Sequence, residues 1–217
     1  MTIQAVIFDL DGTLLDTLED IADSTNSILA QRNFPLHDLA AYRRYVGDGL
    51  GMLVERALPE GKRTATTIDE CVQAFRDEYA VNWNNKTKPY SGVVEMLDAL
   101  TARHLKLAVL SNKPDDFTKR CVREYLSPWP FDIVRGSNST TPPKPDPTGA
   151  QQIAAHLKIK PSDTLFLGDS GVDMKTAISA GMFPVGALWG FKPKNELEHN
   201  GAQAFITHPK ELLTLLT

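Results

Sequence analysis

The chain has 217 residues, 42% of them hydrophobic and 23% charged. That composition excludes wholesale disorder, and the length suffices for a core without disulfides or a structural metal. Twenty-three Lys and Arg against 27 Asp and Glu leave a net charge of −4, so there is no basic field to hold a nucleic-acid backbone.

The first apolar run, Ala5-Val6-Ile7-Phe8, reads as a buried strand and meets Asp9 at once. No basic stretch precedes it, so it is not expected to be a signal peptide. The segment from residue 16 to 86 shows helical periodicity only. Leu18, Ile21, Ala22, Thr25, Ile28 and Leu29 form one apolar stripe. Val72, Phe75, Tyr79 and Trp83 form another, behind a capping-box pattern at Thr67-x-x-Glu70. After it, helical patterns near 92–103, 114–126, 147–158, 171–180 and 193–199 alternate with apolar runs at Leu105 to Leu110, Phe131 to Val134, Thr164 to Leu167, Val185 to Trp189 and Ala204 to Ile206. Lys210 to Leu216 reads as a short closing helix. Strands that are apolar throughout and separated by helices predict an α/β fold, a parallel sheet covered on both faces. The division expected is an α/β core over 1–15 and 87–217 with a helical cap over 16–86. The longest uncharged run, Thr176 to Phe191, is broken by Gly181, Pro184, Gly186 and Gly190. It falls short of the ~20 apolar residues of a membrane span, and a cytoplasmic protein without membrane partners is expected. Cys71 and Cys121 lie far apart and form neither a disulfide framework nor a zinc knuckle.

Four strand ends carry residues with chemical potential. In Phe8-Asp9-Leu10-Asp11-Gly12-Thr13, alternation along an extended chain points Asp9 and Asp11 the same way, and two such anions need a cation or a shifted pKa. An Asp-Gly turn after a strand is also ordinary. In Val109-Leu110-Ser111-Asn112-Lys113, a hydroxyl and backbone donors stand before a helix, suited either to an anion or to an N-cap. Lys144 sits among Pro142, Pro143, Pro145 and Pro147, a stiff frame that presents it in one place. Asp169 follows the strand ending at Gly168, and Ser170-x-x-Asp173 matches a capping box. A parallel sheet collects all four at its carboxyl edge, where open α/β sheets bind ligands.

These elements resemble the four motifs of the haloacid dehalogenase-like hydrolase superfamily. Asp9-Leu10-Asp11-Gly12-Thr13 is similar to the first, Ser111 to the second, Lys144 to the third and Gly168-Asp169-x-x-x-Asp173 to the fourth. The C-terminal Leu188-Trp189-Gly190-Phe191, Gly201 to Ile206 and Pro209-Lys210-Glu211-Leu212 resemble phosphoglycolate phosphatase-like members, with Gln203 where those relatives commonly carry Asp.

The resemblance implies a three-layer Rossmann-like core with a helical cap inserted after the first strand. It also implies a phosphomonoesterase in which Asp9 becomes transiently phosphorylated. Asp11 serves as general acid and then general base, and Lys144 and Ser111 stabilise the phosphoryl oxygens. Mg²⁺ is expected on Asp9, Asp169 and the backbone carbonyl of Asp11. Asp173 is expected either to order a metal-bound water or to hold Lys144. Thr13, Asn112 and Gly47 complete the expected substrate contacts. Within Arg43-Arg44-Tyr45-Val46-Gly47-Asp48-Gly49, an arginine is either a partner for a substrate carboxylate or a solvated helix end. Trp189 with Gly190 reads as core packing rather than a binding platform. An acid at position 11 favours phosphate esters over halides, because an alkoxide leaves poorly without a proton.

The substrate class is a small phosphate ester, 2-phosphoglycolate first. A sugar or nucleotide monophosphate phosphatase, a β-phosphoglucomutase-like phosphotransferase and a non-catalytic binding module of the same fold are the alternatives.

Overall fold

The computed structural model describes residues 2–216. Its centre is the strand β1, Ala5–Phe8, in which every side chain is buried. Strand β2, Leu15–Asp16, follows, and helices α1 (Leu18–Gln31), α2 (Leu39–Tyr45), α3 (Leu50–Ala57) and α4 (Ala65–Asn82) come next. Strand β3, Lys88–Pro89, brings the chain back. Helix α5 (Val93–Ala102), strand β4 (Lys106–Pro114), helix α6 (Asp115–Tyr125), strand β5 (Phe131–Ser137) and helix α7 (Thr148–Leu157) then alternate. They are followed by β6 (Thr164–Gly168), α8 (Gly171–Ala180), β7 (Phe183–Ala187), α9 (Lys194–His199) and β8 (Ala204–Ile206). A 3₁₀ helix, Pro209–Leu215, closes the chain where a short helix is expected.

The main sheet has the order β5-β4-β1-β6-β7-β8, with every pairing parallel. Period-two alternation assigns its two faces. Ile7, Ala108 and Phe166 pack with Ala150, Ile153 and Ala177 of α7 and α8. Val6, Phe8, Val109 and Leu167 face the other way, into the larger core with Met96 and Phe117 of α5 and α6. The result is a three-layer α/β fold. The chain runs outward from β1 through β4 to β5, then returns to β6 on the other side. That reversal opens a crevice at the carboxyl ends of β1, β4 and β6.

The helical insert leaves the core at β2 and returns at β3, and these two pair antiparallel, Leu15 with Pro89 and Asp16 with Lys88. Asp20 reinforces this neck. Its buried carboxylate accepts from the backbone N–H groups of Lys86 and Thr87, at 3.0 and 2.8 Å, and from the Thr87 hydroxyl at 2.7 Å. A buried carboxylate so supplied is satisfied without a cation. Within the insert, α1 packs on α4, and Ile21, Ile28 and Leu29 share a core with Cys71, Phe75 and Tyr79.

Several boundaries differ from the sequence reading. Helix α4 starts one turn earlier, because Thr64 is the N-cap and accepts from the Thr67 N–H, so Thr67 and Glu70 lie inside the helix. Strand β4 runs on through Ser111, Asn112 and Lys113 to Pro114, which is the N-cap of α6 rather than part of its first turn. Strand β7 ends at Ala187, since the chain turns at Trp189 and Gly190. Among the described residues, no helix is long and apolar enough to cross a membrane.

Candidate active site

Asp9 leaves the end of β1 and is 7% exposed. Its Oδ1 accepts from the Leu10 N–H at 2.7 Å and pairs with Lys144 Nζ at 2.9 Å. Burial and then the neighbouring Asp173 push its carboxyl up to about 7, against the pull of Lys144. Lys144 reaches Asp9 from the loop between β5 and α7, and its ammonium also pairs with Asp173 Oδ1 at 2.6 Å. The two carboxylates hold this buried lysine charged.

Asp173 does two jobs in one position. Its Oδ2 accepts from the Ser170 N–H and hydroxyl, completing the capping box of α8, while its Oδ1 holds Lys144. Asp169, at the end of β6, is 2% exposed. Its Oδ2 accepts from the Phe191 N–H at 2.7 Å and its Oδ1 from the Thr13 hydroxyl at 3.3 Å. Burial first, then Asp173 and Asp9, raise its carboxyl well above the ordinary range.

Oxygens of Asp9, Asp169 and Asp173 lie within 4.8 Å of one another, all three residues buried. Three carboxylates around one ammonium leave excess negative charge in a low-dielectric site. Hard oxygen donors so placed suit a small divalent cation, and Mg²⁺ fits by donor type and by charge.

Asp11 turns away from this cluster. Its Oδ1 accepts from the Thr17 hydroxyl at 2.8 Å, and its carboxylate pairs with Lys113 Nζ at 3.0 and 3.3 Å. Ser111 lines the cavity with Asp9, Asp11 and Asp169. Asn112 lines it too, but its amide is engaged elsewhere. Oδ1 accepts from the Lys144 N–H at 2.9 Å, and Nδ2 donates to the carbonyls of Lys144 and Gly47 at 2.9 and 3.1 Å. Asn112 thus ties the loop of Lys144 to the helical insert. Gly47, with φ of 129°, brings its backbone to the cavity wall. Thr13 is buried behind Asp169 and is not part of that wall.

The insert supplies the opposite wall, with Ile21, Val46, Leu50, Leu53 and Phe75. Its arginines are not cavity-lining. Arg43 donates to the Gly190 carbonyl at 3.2 Å, and Lys192 donates to the carbonyls of Arg43 and Arg44 at 2.8 and 3.0 Å. Trp189 donates from Nε1 to the Thr13 carbonyl, a packing and bracing role.

Tyr79 and Lys113 were not singled out as site residues by sequence. Tyr79 in α4 of the insert and Lys113 in β4 are 34 residues apart and are brought together only by the fold, where the Lys113 ammonium donates to the Tyr79 phenol oxygen at 2.9 Å.

The chain as a whole is similar to known proteins. Residues 6–187 match the family model of haloacid dehalogenase-like hydrolases. A phosphoglycolate phosphatase of Psychrobacter arcticus is 34% identical, over 93% of this chain and 91% of its own. One of Aquifex aeolicus is 31% identical, over 98% and 96%. An N-acetylmuramic acid 6-phosphate phosphatase of Pseudomonas aeruginosa is 30% identical, over 100% and 96%. The crystal structure of a predicted phosphoglycolate phosphatase from Haemophilus somnus superimposes with a TM-score of 0.92 at 27% identity, covering 100% of this chain and 99% of that one. Likeness of this extent, over core and insert alike, makes the chain a member of the haloacid dehalogenase-like hydrolase family.

Proposed function

We propose that this phosphatase hydrolyses small phosphomonoesters through a phosphorylated Asp9, with Mg²⁺ as cofactor, in the cytoplasm. The observation that carries the reading is the convergence of Asp9 and Asp11, Ser111, Lys144 and Asp169 on one crevice from four separate segments.

In the first step an Asp9 oxygen attacks phosphorus and the ester oxygen departs, taking a proton from Asp11. In the second, Asp11 removes a proton from water, whose oxygen attacks the same phosphorus and frees Asp9 and inorganic phosphate. Lys144 and the Ser111 hydroxyl stabilise charge on the transferring phosphoryl group. Asp9, Asp169 and the backbone carbonyl of Asp11 would hold Mg²⁺, with Asp173 beside them, and the ion would offset the repulsion between Asp9 and the incoming phosphate. The insert over 16–86 acts as a cap that excludes water, and β2 with β3 forms its neck.

The leading substrate is 2-phosphoglycolate, on the strength of the relatives from Psychrobacter and Aquifex. A sugar phosphate is the second reading, favoured by the Pseudomonas relative. A panel of phosphate esters, ranked by kcat/KM with Mg²⁺ and then with EDTA, tests both. Phosphate release that is indifferent to the chelator removes the metal from the scheme, and a sugar phosphate that outranks 2-phosphoglycolate reverses the order.

A further inference from the structure

Neither Arg43 nor Arg44 lines the crevice, but two other cations do, Lys113 and Lys192. An ammonium has three protons to give. Those of Lys113 go to both oxygens of Asp11 and to the phenol oxygen of Tyr79, at 3.0, 3.3 and 2.9 Å. Lys192 instead donates to the backbone carbonyls of Arg43 and Arg44, at 2.8 and 3.0 Å. One of its protons is left over, and both of its acceptors are neutral.

The carboxylates whose field reaches Lys192 are those of Glu196, Asp169 and Asp48. Each of them holds another partner. Glu196 accepts from the Gly171 N–H at 3.2 Å, Asp169 from the Phe191 N–H at 2.7 Å, and Asp48 pairs with Arg56 at 2.6 Å. Lys192 is itself half-buried, and desolvation holds its ammonium below the ordinary lysine value. A cation drawn partly out of water without a counter-ion is a place where an anion gains by binding. Its position suits a short ester. Lys192 follows Phe191, whose N–H holds Asp169, and its Cε lies 3.8 Å from where a Cβ on Gly47 would stand. In 2-phosphoglycolate a single methylene separates the ester oxygen from the carboxylate, so that carboxylate must be met close to the phosphoryl group.

The wall built by the insert selects in a second way. Ile21, Val46, Leu50, Leu53 and Phe75 offer no side-chain hydrogen bond. A sugar ring seated against them leaves its hydroxyls without partners, which is unfavourable in a site shielded from water.

We propose that Lys192 is the substrate-selecting residue of this crevice: its ammonium pairs with a carboxylate on the leaving group, while the apolar insert wall turns sugar phosphates away. The leaving group is then a compact hydroxy acid with few other polar groups. The inference rests on the reading of the chain as a phosphatase whose leading substrate is 2-phosphoglycolate.

The test compares two esters of similar size. 2-Hydroxyethyl phosphate carries a hydroxymethyl group where 2-phosphoglycolate carries its carboxylate. Lys192→Met keeps most of the stem and removes the charge. Its loss of kcat/KM relative to the parent is expected to be about 10- to 100-fold greater on 2-phosphoglycolate than on the hydroxyethyl ester, and to be carried by KM. Lys192→Arg is expected to keep most of the parent's preference. A lysine that only fastened the end of α2 to the core would lower both activities alike.

If the parent does not prefer 2-phosphoglycolate to the hydroxyethyl ester, or hydrolyses glucose 6-phosphate better than either, the leading substrate is wrong and the inference falls with it. If the parent has the preference and Lys192→Met either keeps it or loses both activities equally, the inference alone is overturned. Should Lys192→Met fail to fold, Lys192→Gln, which can still donate to the carbonyls of Arg43 and Arg44, decides in the same way.

Discussion

Asp9 shows how one side chain serves folding and chemistry on different terms. Folding would have it neutral, since burial and Asp173 both push its carboxyl up to about 7, while attack on phosphorus needs it ionised. Asn at this position keeps the oxygen that accepts from Leu10 and leaves Lys144 its bond to Asp173. Asp9→Asn is therefore expected to fold normally, with an unchanged or raised Tm in EDTA, and to lose at least about 10³-fold in turnover because an amide is no nucleophile. Circular dichroism with a phosphate-release assay checks both, and a variant retaining near-normal turnover removes Asp9 from the covalent role. The two cysteines show the opposite case, reactive groups that burial silences. Burial raises the Cys71 thiol above its ordinary value and pushes that of Cys121 up to about 11. The thiolate is the nucleophile, so at neutral pH neither is expected to react with iodoacetamide until the chain unfolds. Mass spectrometry of native and urea-unfolded samples reads this directly, and rapid labelling of the native protein contradicts it.

At the scale of elements, close approach explains more than hydrogen bonding does. The turn after β7 delivers the Phe191 N–H to Asp169, and Gly190 makes the approach possible. A Cβ on Gly190 would stand 2.2 Å from the Asp169 Cβ and 2.5 Å from the Gly12 carbonyl oxygen. Gly190→Ala is thus expected to displace Asp169 and to cut activity by at least about 10-fold, a consequence of misplacing a reacting constellation by a fraction of its spacing. Gly51, near the start of α3, has nothing within 4 Å of its would-be Cβ. Gly51→Ala is expected to stabilise the protein by about 0.5–1 kcal/mol, because alanine loses less backbone freedom in a helix. Urea titrations of the pair give the two signs, and equal effects would refute the packing argument. This contrast also marks what the sequence could reveal. Asp9, Ser111 and Asp169 were legible because each follows an apolar run, where local pattern implies position, and Lys144 because four prolines frame it. Gly190 and Lys113 follow no such rule, since what makes them matter is a neighbour more than a dozen residues away. The one-turn difference at Thr64 and Thr67 has a local cause, as a threonine at either position can cap, and Thr64 does.

For the whole molecule, the site is a place where the fold is under electrostatic load. Asp9, Asp169 and Asp173 come from two strand ends and a helix, and bringing those elements together confines three carboxylates, two of them paired with Lys144. The metal-free fold must oppose that repulsion with the apolar core around β1, β4 and β6. A divalent cation that binds the folded chain and not the unfolded one raises stability by mass action. At 100 times its dissociation constant the gain is about 2.7 kcal/mol, which for a chain of this size corresponds to a Tm increase of roughly 5–10 °C. Calorimetry of chelator-stripped protein, titrated with Mg²⁺, is expected to show that rise. Asp169→Asn removes one donor and one negative charge together, so it is expected to unfold no earlier than the stripped parent and to gain far less from Mg²⁺. Mg²⁺ binding is set by the charge cluster, whereas phosphate transfer needs Asp11 and the closed insert as well. Asp11→Asn is accordingly expected to keep the full Mg²⁺ shift while losing turnover. A Tm in the parent that does not move at saturating Mg²⁺, or an Asp169→Asn protein that responds like the parent, would take the cation away from this cluster.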